Sequence, residues 1–159
     1  MSLIDKNIVI DFLKYRDQLK SKKENDKSYL FDPIRKKNII LQPEELVRQL
    51  CILWLINNQE IHRNAIQVEK LININGLSRR FDIVVYDKEI KPFILIECKS
   101  PTVKIKQATF DQIAMYQMAL KAPFLIVTNG LDSYIAEINH EQKKYNFYHQ
   151  VPEWKNRVG

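Results

Sequence analysis

The stretch Ile94-Leu95-Ile96-Glu97-Cys98-Lys99-Ser100-Pro101, ILIECKSP, begins as an apolar run and ends in two charges around a cysteine. A short continuous apolar run of this kind reads as a strand buried on both faces. Upstream, Arg79-Arg80-Phe81-Asp82-Ile83-Val84-Val85-Tyr86 reads as a second strand, and residues 87–92 between them have turn composition. If the turn is symmetric, with Asp87 opposite Pro92, Tyr86 faces Phe93, Val84 faces Leu95 and Asp82 faces Glu97. Directly opposed residues have Cβ atoms about 4.5–5.5 Å apart, and like charges so placed destabilise a sheet. Alternation puts Phe93, Leu95, Glu97 and Lys99 on one face, so both acids share a side with apolar residues, where an unpaired charge is costly. A hard divalent cation between Asp82 and Glu97 removes the conflict, and the Cys98 carbonyl adds a third oxygen. Mg²⁺ is the expected ion, its other positions filled by water and phosphate oxygens, with Mn²⁺ as a substitute. Lys99 is then placed to orient an attacking water or to stabilise charge on the phosphate.

Working outward, residues 66–74 alternate partly between apolar and polar types, and Asn75-Gly76 supplies a left-handed turn into the strand that holds Asp82, a hairpin signal. Residues 106–121 are helical in composition, with Phe110, Ile113, Ala114 and Leu120 on an apolar side. Residues 123–128 return as an apolar strand closed by Asn129-Gly130. Strand, helix and buried strand together make a parallel crossover. Residues 134–138 and 145–149 read as closing strands, and Pro43-Glu44-Glu45 opens a helix that is apolar on nearly every side. The expected fold is α/β, a mixed central sheet flanked by helices in the order α-β-β-β-α-β. Residues 1–30 are read as an N-terminal helix (8–19) and a polar segment, SKKENDKS (21–28), that is a loop or the exposed helix end. Residues 31–150 form the main domain and 151–159 a tail.

A chain of 159 residues with 45% hydrophobic content supports one core. The net charge of +6 favours polyanionic partners where the positive charges cluster, as at Arg35-Lys36-Lys37, Arg79-Arg80 and Lys104 with Lys106. In the symmetric register Arg80 falls opposite Lys99, so that cluster borders the acids. Cys51 and Cys98 each sit in an apolar run, which suits reduced thiols and a cytoplasmic protein without a membrane span. His62, His140 and His149 lack zinc spacing, and three glycines leave no phosphate-binding loop, so no nucleotide-driven motor is encoded.

Two further features border the acids. Gln112 and Tyr116, four residues apart, share a helix face roughly opposite Phe110 and Leu120. There they either meet a phosphate backbone and support the acids, or simply belong to the polar side of an amphipathic helix. Glu45 is either a further metal-site acid or an ordinary first-turn residue favoured by the helix dipole, and Glu44 competes with it for the role.

The segments FDPIRKKNIILQPEELVRQ (31–49), VEKLININGLSRRFDIVVYD (68–87), FILIECKSP (93–101) and TFDQIAMYQMALKAPFLIVTNG (109–130) resemble, in order, the N-terminal nuclease domain of the restriction subunit of type I restriction-modification enzymes. The resemblance implies a restriction-endonuclease-like, PD-(D/E)xK core and a Mg²⁺-dependent DNA endonuclease. It implies Asp82, Glu97 and Lys99 as its catalytic acids and lysine, Gln112 and Tyr116 as the family's Q-x-x-x-Y motif, and Glu45 as the superfamily's helix acid. DNA is the implied partner, with motor or specificity subunits beside it. The alternative is a non-catalytic nucleic-acid-binding or assembly module of a restriction complex.

Overall fold

The computed structural model describes residues 3–154. The expected hairpin is present as β4 (Ile66–Ile74) and β5 (Leu77–Tyr86), joined through Asn75 and Gly76 at φ 50° and 82°. Both values are positive, as a tight two-residue hairpin turn requires. The apolar run forms β6 (Pro92–Cys98), antiparallel to β5. Helix α2 (Gln107–Gln117) then leads to β7 (Phe124–Thr128), which pairs with β6 in parallel, the expected crossover. Antiparallel β8 (Ser133–Asn139) and β9 (Lys144–Tyr148) complete a six-stranded mixed sheet in sequential order from β4 to β9. At the β7–β8 turn, Gly130 has φ +89° and lies so close to helix α1 (Pro43–Asn57) that a Cβ there would stand 3.2 Å from Val47 Cγ2. Glycine is the residue that tolerates both conditions.

The sheet separates two apolar layers. On one side Val47, Leu50, Cys51, Ile52, Trp54 and Leu55 of α1 pack with Ile83, Val85, Ile94, Ile96 and Cys98. On the other, Phe110 and Ala114 of α2 pack with Val84, Leu95, Leu125 and Val127. Burial on both faces is why β6 and β7 carry almost no polar residue before Glu97 and Thr128. No helix among the described residues is long and apolar enough to cross a membrane.

The N-terminal third departs from expectation. Residues 8–19 hold a 3-10 helix, Phe12–Gln18, instead of an α-helix, with Phe12 edge-on to Trp54 at 5.9 Å between ring centroids. The polar segment 21–28 is neither loop nor helix end: it forms β1 (Ser21–Glu24) and the start of β2 (Lys27–Asp32). Asn25 and Asp26 between them adopt φ 52° and 62°. These residue types tolerate the left-handed region, so a hairpin turn forms despite the charge of the strands. With β3 (Lys37–Ile40) they make a separate antiparallel sheet. Within the tail, Trp154 is buried in the α1 layer and donates its Nε1–H to the Tyr86 carbonyl at 3.0 Å.

A buried ionic network ties the small sheet to α1. Asp32 is fully buried and accepts hydrogen bonds from the Ile34 and Arg35 amides, from Arg35 Nε at 2.7 Å and from Arg48 Nη1 at 3.2 Å. Burial alone would raise its pKa, but the hydrogen bonds of Arg35 and the charge of Arg48 overturn this and hold the carboxyl below its usual value. Arg48, 2% exposed, also donates to Glu45 and lies 3.7 Å from Glu69. Arg35 therefore faces inward, away from the basic surface suggested by its neighbours Lys36 and Lys37. Removing one partner of a buried pair strands the others, at about 3–5 kcal/mol. Arg48→Ala is expected to lose stability toward the lower end of that range in urea unfolding, because Asp32 and Glu45 lose one of their two cations and keep only Arg35.

Candidate active site

The expected register holds through the body of the β5–β6 ladder, where Val84 pairs with Leu95, flanked by Ile83 with Ile96 and Val85 with Ile94. At the turn it shifts by one: Tyr86 pairs with Pro92 in place of Phe93, across a bulge between Val85 and Tyr86. The turn is organised by Asp87, whose Oδ1 accepts the Glu89 and Lys91 amides, with Ile90 at φ 61°. The bulge moves Phe93 off the face of Leu95 into the α1 layer, where its ring meets Phe124 at 5.3 Å. At the other end the ladder stops at Ile83 and Ile96, while β6 stays paired with β7 through Glu97 and Cys98. The two strands therefore part where the acids stand, and the pairing never reaches Arg80 and Lys99. In the fork, Asp82 Oδ2 accepts the Cys98 amide at 2.8 Å, so a side chain takes over where the backbone ladder ends.

The hairpin also turns over at this level. Ile83 belongs to the α1 layer and Phe81 to the α2 layer, although residues two apart on a regular strand share a face. Val68 and Ile72 of β4 change layers in the same way. Between them Glu69 has φ 51°, a conformation a side-chain-bearing residue rarely adopts. This twist brings a third carboxylate to the site. Glu69 lies 3.7 Å from both Arg48 and Arg80, so its charge is shared by two guanidinium groups.

Asp82 and Glu97 have no such surplus. Lys99 Nζ sits 3.3 Å from Glu97, the one ammonium among the described residues that pairs with either acid. Burial and the charge of Glu97 push Asp82 up to about 8, with Glu69 and Glu44 adding to the shift and the Cys98 amide opposing it. Burial also raises Glu97, though Lys99 and a hydrogen bond with Asp82 counter it. Two unit charges about 4 Å apart repel by roughly 4 kcal/mol at an effective dielectric of about 20. The pair relieves this repulsion by retaining a proton.

Of the two acids at the start of α1, Glu44 is the one whose charge bears on both Asp82 and Glu97. Glu45 is committed to Arg48, to Arg35 at 3.6 Å and to Gln49 Nε2 at 3.0 Å. Cys98 turns its thiol into the α1 layer, where a hydrogen bond with Cys51 and burial raise its pKa well above the ordinary value. The thiols of Cys51 and Cys98 are both free. Cys98 could therefore serve a cation only through its carbonyl oxygen. Gln112 is exposed, and Tyr116, 39% exposed, carries Arg79 over its ring at 4.0 Å. Neither is on the buried stripe of α2, which runs Phe110, Ala114, Gln117. Gln117, which sequence reasoning passed over, donates Nε2–H to Glu97 Oε2 at 3.4 Å. Its place at i+7 of an apolar stripe begun at Phe110 was the available signal.

Among the described residues no group of three or more His, Cys, Asp or Glu side chains forms a metal cage. Two carboxylates with open positions for water and phosphate are nonetheless the donor set that suits Mg²⁺, which dehydrates reluctantly and seldom takes an all-protein cage. A divalent ion would take the place of the proton that Asp82 and Glu97 retain and let both carboxyls ionise.

Residues 43–152 match the family model described as Type I restriction enzyme R protein N terminus. The chain belongs to that family. No curated protein matches it. The part shared with the R-protein N-terminal family comprises α1, the hairpin, the fork, α2 and the strands β7 to β9. The small sheet β1–β3, with Asp32, lies outside the matched residues, and Arg48, to which Asp32 is bonded, lies within them.

Proposed function

We propose that this R-protein N-terminal domain is a metal-dependent DNA endonuclease with a restriction-endonuclease-like core, acting within a type I restriction complex. The observation that carries the reading is the fork: two half-buried carboxylates where adjacent strands part, close enough to raise the pKa of Asp82, and a lysine two residues beyond the second. In this reading Asp82 and Glu97 hold Mg²⁺, assisted by the Cys98 carbonyl. When bound, the ion supplies Lewis-acid polarisation of the phosphoryl oxygen and a more acidic water. Lys99, anchored on Glu97, presents its ammonium to the scissile phosphate, orienting the attacking water and offsetting the charge that develops on the non-bridging oxygens. Water adds to phosphorus, one P–O ester bond breaks, and the strand is left with a phosphate and a hydroxyl end. Arg79, Arg80 and Lys70 on the hairpin flank the fork and are suited to hold the phosphate backbone without reading sequence. Glu44 is the first-helix acid in this scheme, and Tyr116 acts through Arg79.

Purified protein is expected to convert supercoiled plasmid to the nicked form in Mg²⁺ or Mn²⁺ and to do so in no other condition. Salt-sensitive DNA binding with no cutting under any metal would instead establish the binding module.

A further inference from the structure

Gln117 is 1% exposed, and its Oε1 is the one buried side-chain oxygen or nitrogen among the described residues with no hydrogen-bond partner. An ionised Glu97 can only accept, so its contact with Gln117 assigns Nε2 to that side and leaves Oε1 turned away from it. Buried acceptors are almost always satisfied, and one left bare in a site occupied by polar groups points to a water. Had the position served packing alone, an apolar residue would have continued the stripe of Phe110 and Ala114 at no such expense.

From this we infer that Gln117 is a positioning residue for the acid pair: its Nε2 fixes the Glu97 carboxylate and its Oε1 holds an ordered water beside it. The water satisfies the amide oxygen and so holds the amide in the orientation that keeps Nε2 on Glu97 Oε2, while Lys99 holds Glu97 Oε1. Gln117 thus sets the rotamer of Glu97 in the way outer-sphere partners set metal-binding carboxylates. The role rests on the nuclease reading for the reaction it assists, whereas the water does not.

Two measurements separate the possibilities. A high-resolution crystal structure of the wild type should show a water within about 3.2 Å of Gln117 Oε1. A dry Oε1, or one rotated onto a protein donor, overturns the inference. Gln117→Leu, close in volume and lacking the orphan oxygen, should melt at the same temperature or higher in EDTA. Its kcat for plasmid nicking at saturating Mn²⁺ should nonetheless fall about 10–100-fold with KM for DNA unchanged. A lowered melting temperature with unchanged kcat would mean packing only. Wild-type protein that cuts nothing yet shows the water sinks the nuclease reading and keeps the water; wild type that cuts without the water sinks this inference alone.

Discussion

Asp82→Asn is expected to abolish plasmid nicking while making the metal-free protein more stable. The loss of cutting should be at least ~10³-fold, about 4 kcal/mol of transition-state stabilisation, because an amide cannot replace an anionic oxygen at a Mg²⁺ site. The gain in stability follows from linkage. Asp82 has a folded pKa of about 8 against an ordinary value of 3.8, so the folded state binds its proton more tightly. This contribution is fully present below about pH 4 and is lost as pH rises to 8. Each unit corresponds to about 1.4 kcal/mol, and water penetration reduces the sum, leaving an effect on the order of a few kcal/mol. Wild type and Asp82→Asn should therefore melt together near pH 4 in EDTA, and the variant should melt roughly 5–10 °C higher at pH 8. A variant less stable than wild type at both pH values would mean that the acid is structural.

The second large effect belongs to Lys99. Lys99→Met should lower nicking by about 10²–10³-fold, the usual loss when one preorganised donor to a transition-state oxygen is removed. Unlike Asp82→Asn, it should still bind Mn²⁺ in calorimetry, because both carboxylates remain and a competing cation has gone. In EDTA at pH 8 it should be less stable than wild type, since Glu97 loses its 3.3 Å partner. Loss of Mn²⁺ binding in Lys99→Met would make the lysine part of the ion site, and unimpaired cutting would remove it from the chemistry.

Much of this site was legible in the chain. An apolar strand ending in Glu97-Cys98-Lys99, and Asp82 at the matching distance across a turn, located the fork because strand pairing is regular over the three pairs that matter. What escaped was irregular. The bulge at Tyr86 depends on how Asp87 folds back on two amides, a local preference that periodicity does not encode. The reversal at Glu69 depends on a positive φ at a residue type that seldom adopts one. Because α2 is short and carries polar residues on both sides, its facing could not be read from Gln112 and Tyr116, and Gln117 went unseen. Nothing in the sequence marked Arg48, because its partners Asp32 and Glu69 come from separate strands, and so the pairing that draws the candidate acid Glu45 to Arg48 was hidden too. The hairpin β1–β2 was hidden by its charge: its residues are largely exposed, and its turn rather than any apolar pattern defines it.

Asp82 and Glu97 are expected to hold one divalent ion between them. Crystals soaked in Mn²⁺ and recorded at the manganese absorption edge test it most directly. An anomalous peak in contact with an oxygen of Asp82 and an oxygen of Glu97, absent from Asp82→Asn crystals soaked alike, is the expected result. Carboxylates that stay hydrogen-bonded to each other with no peak between them, in crystals where the fork is open to solvent, would contradict it.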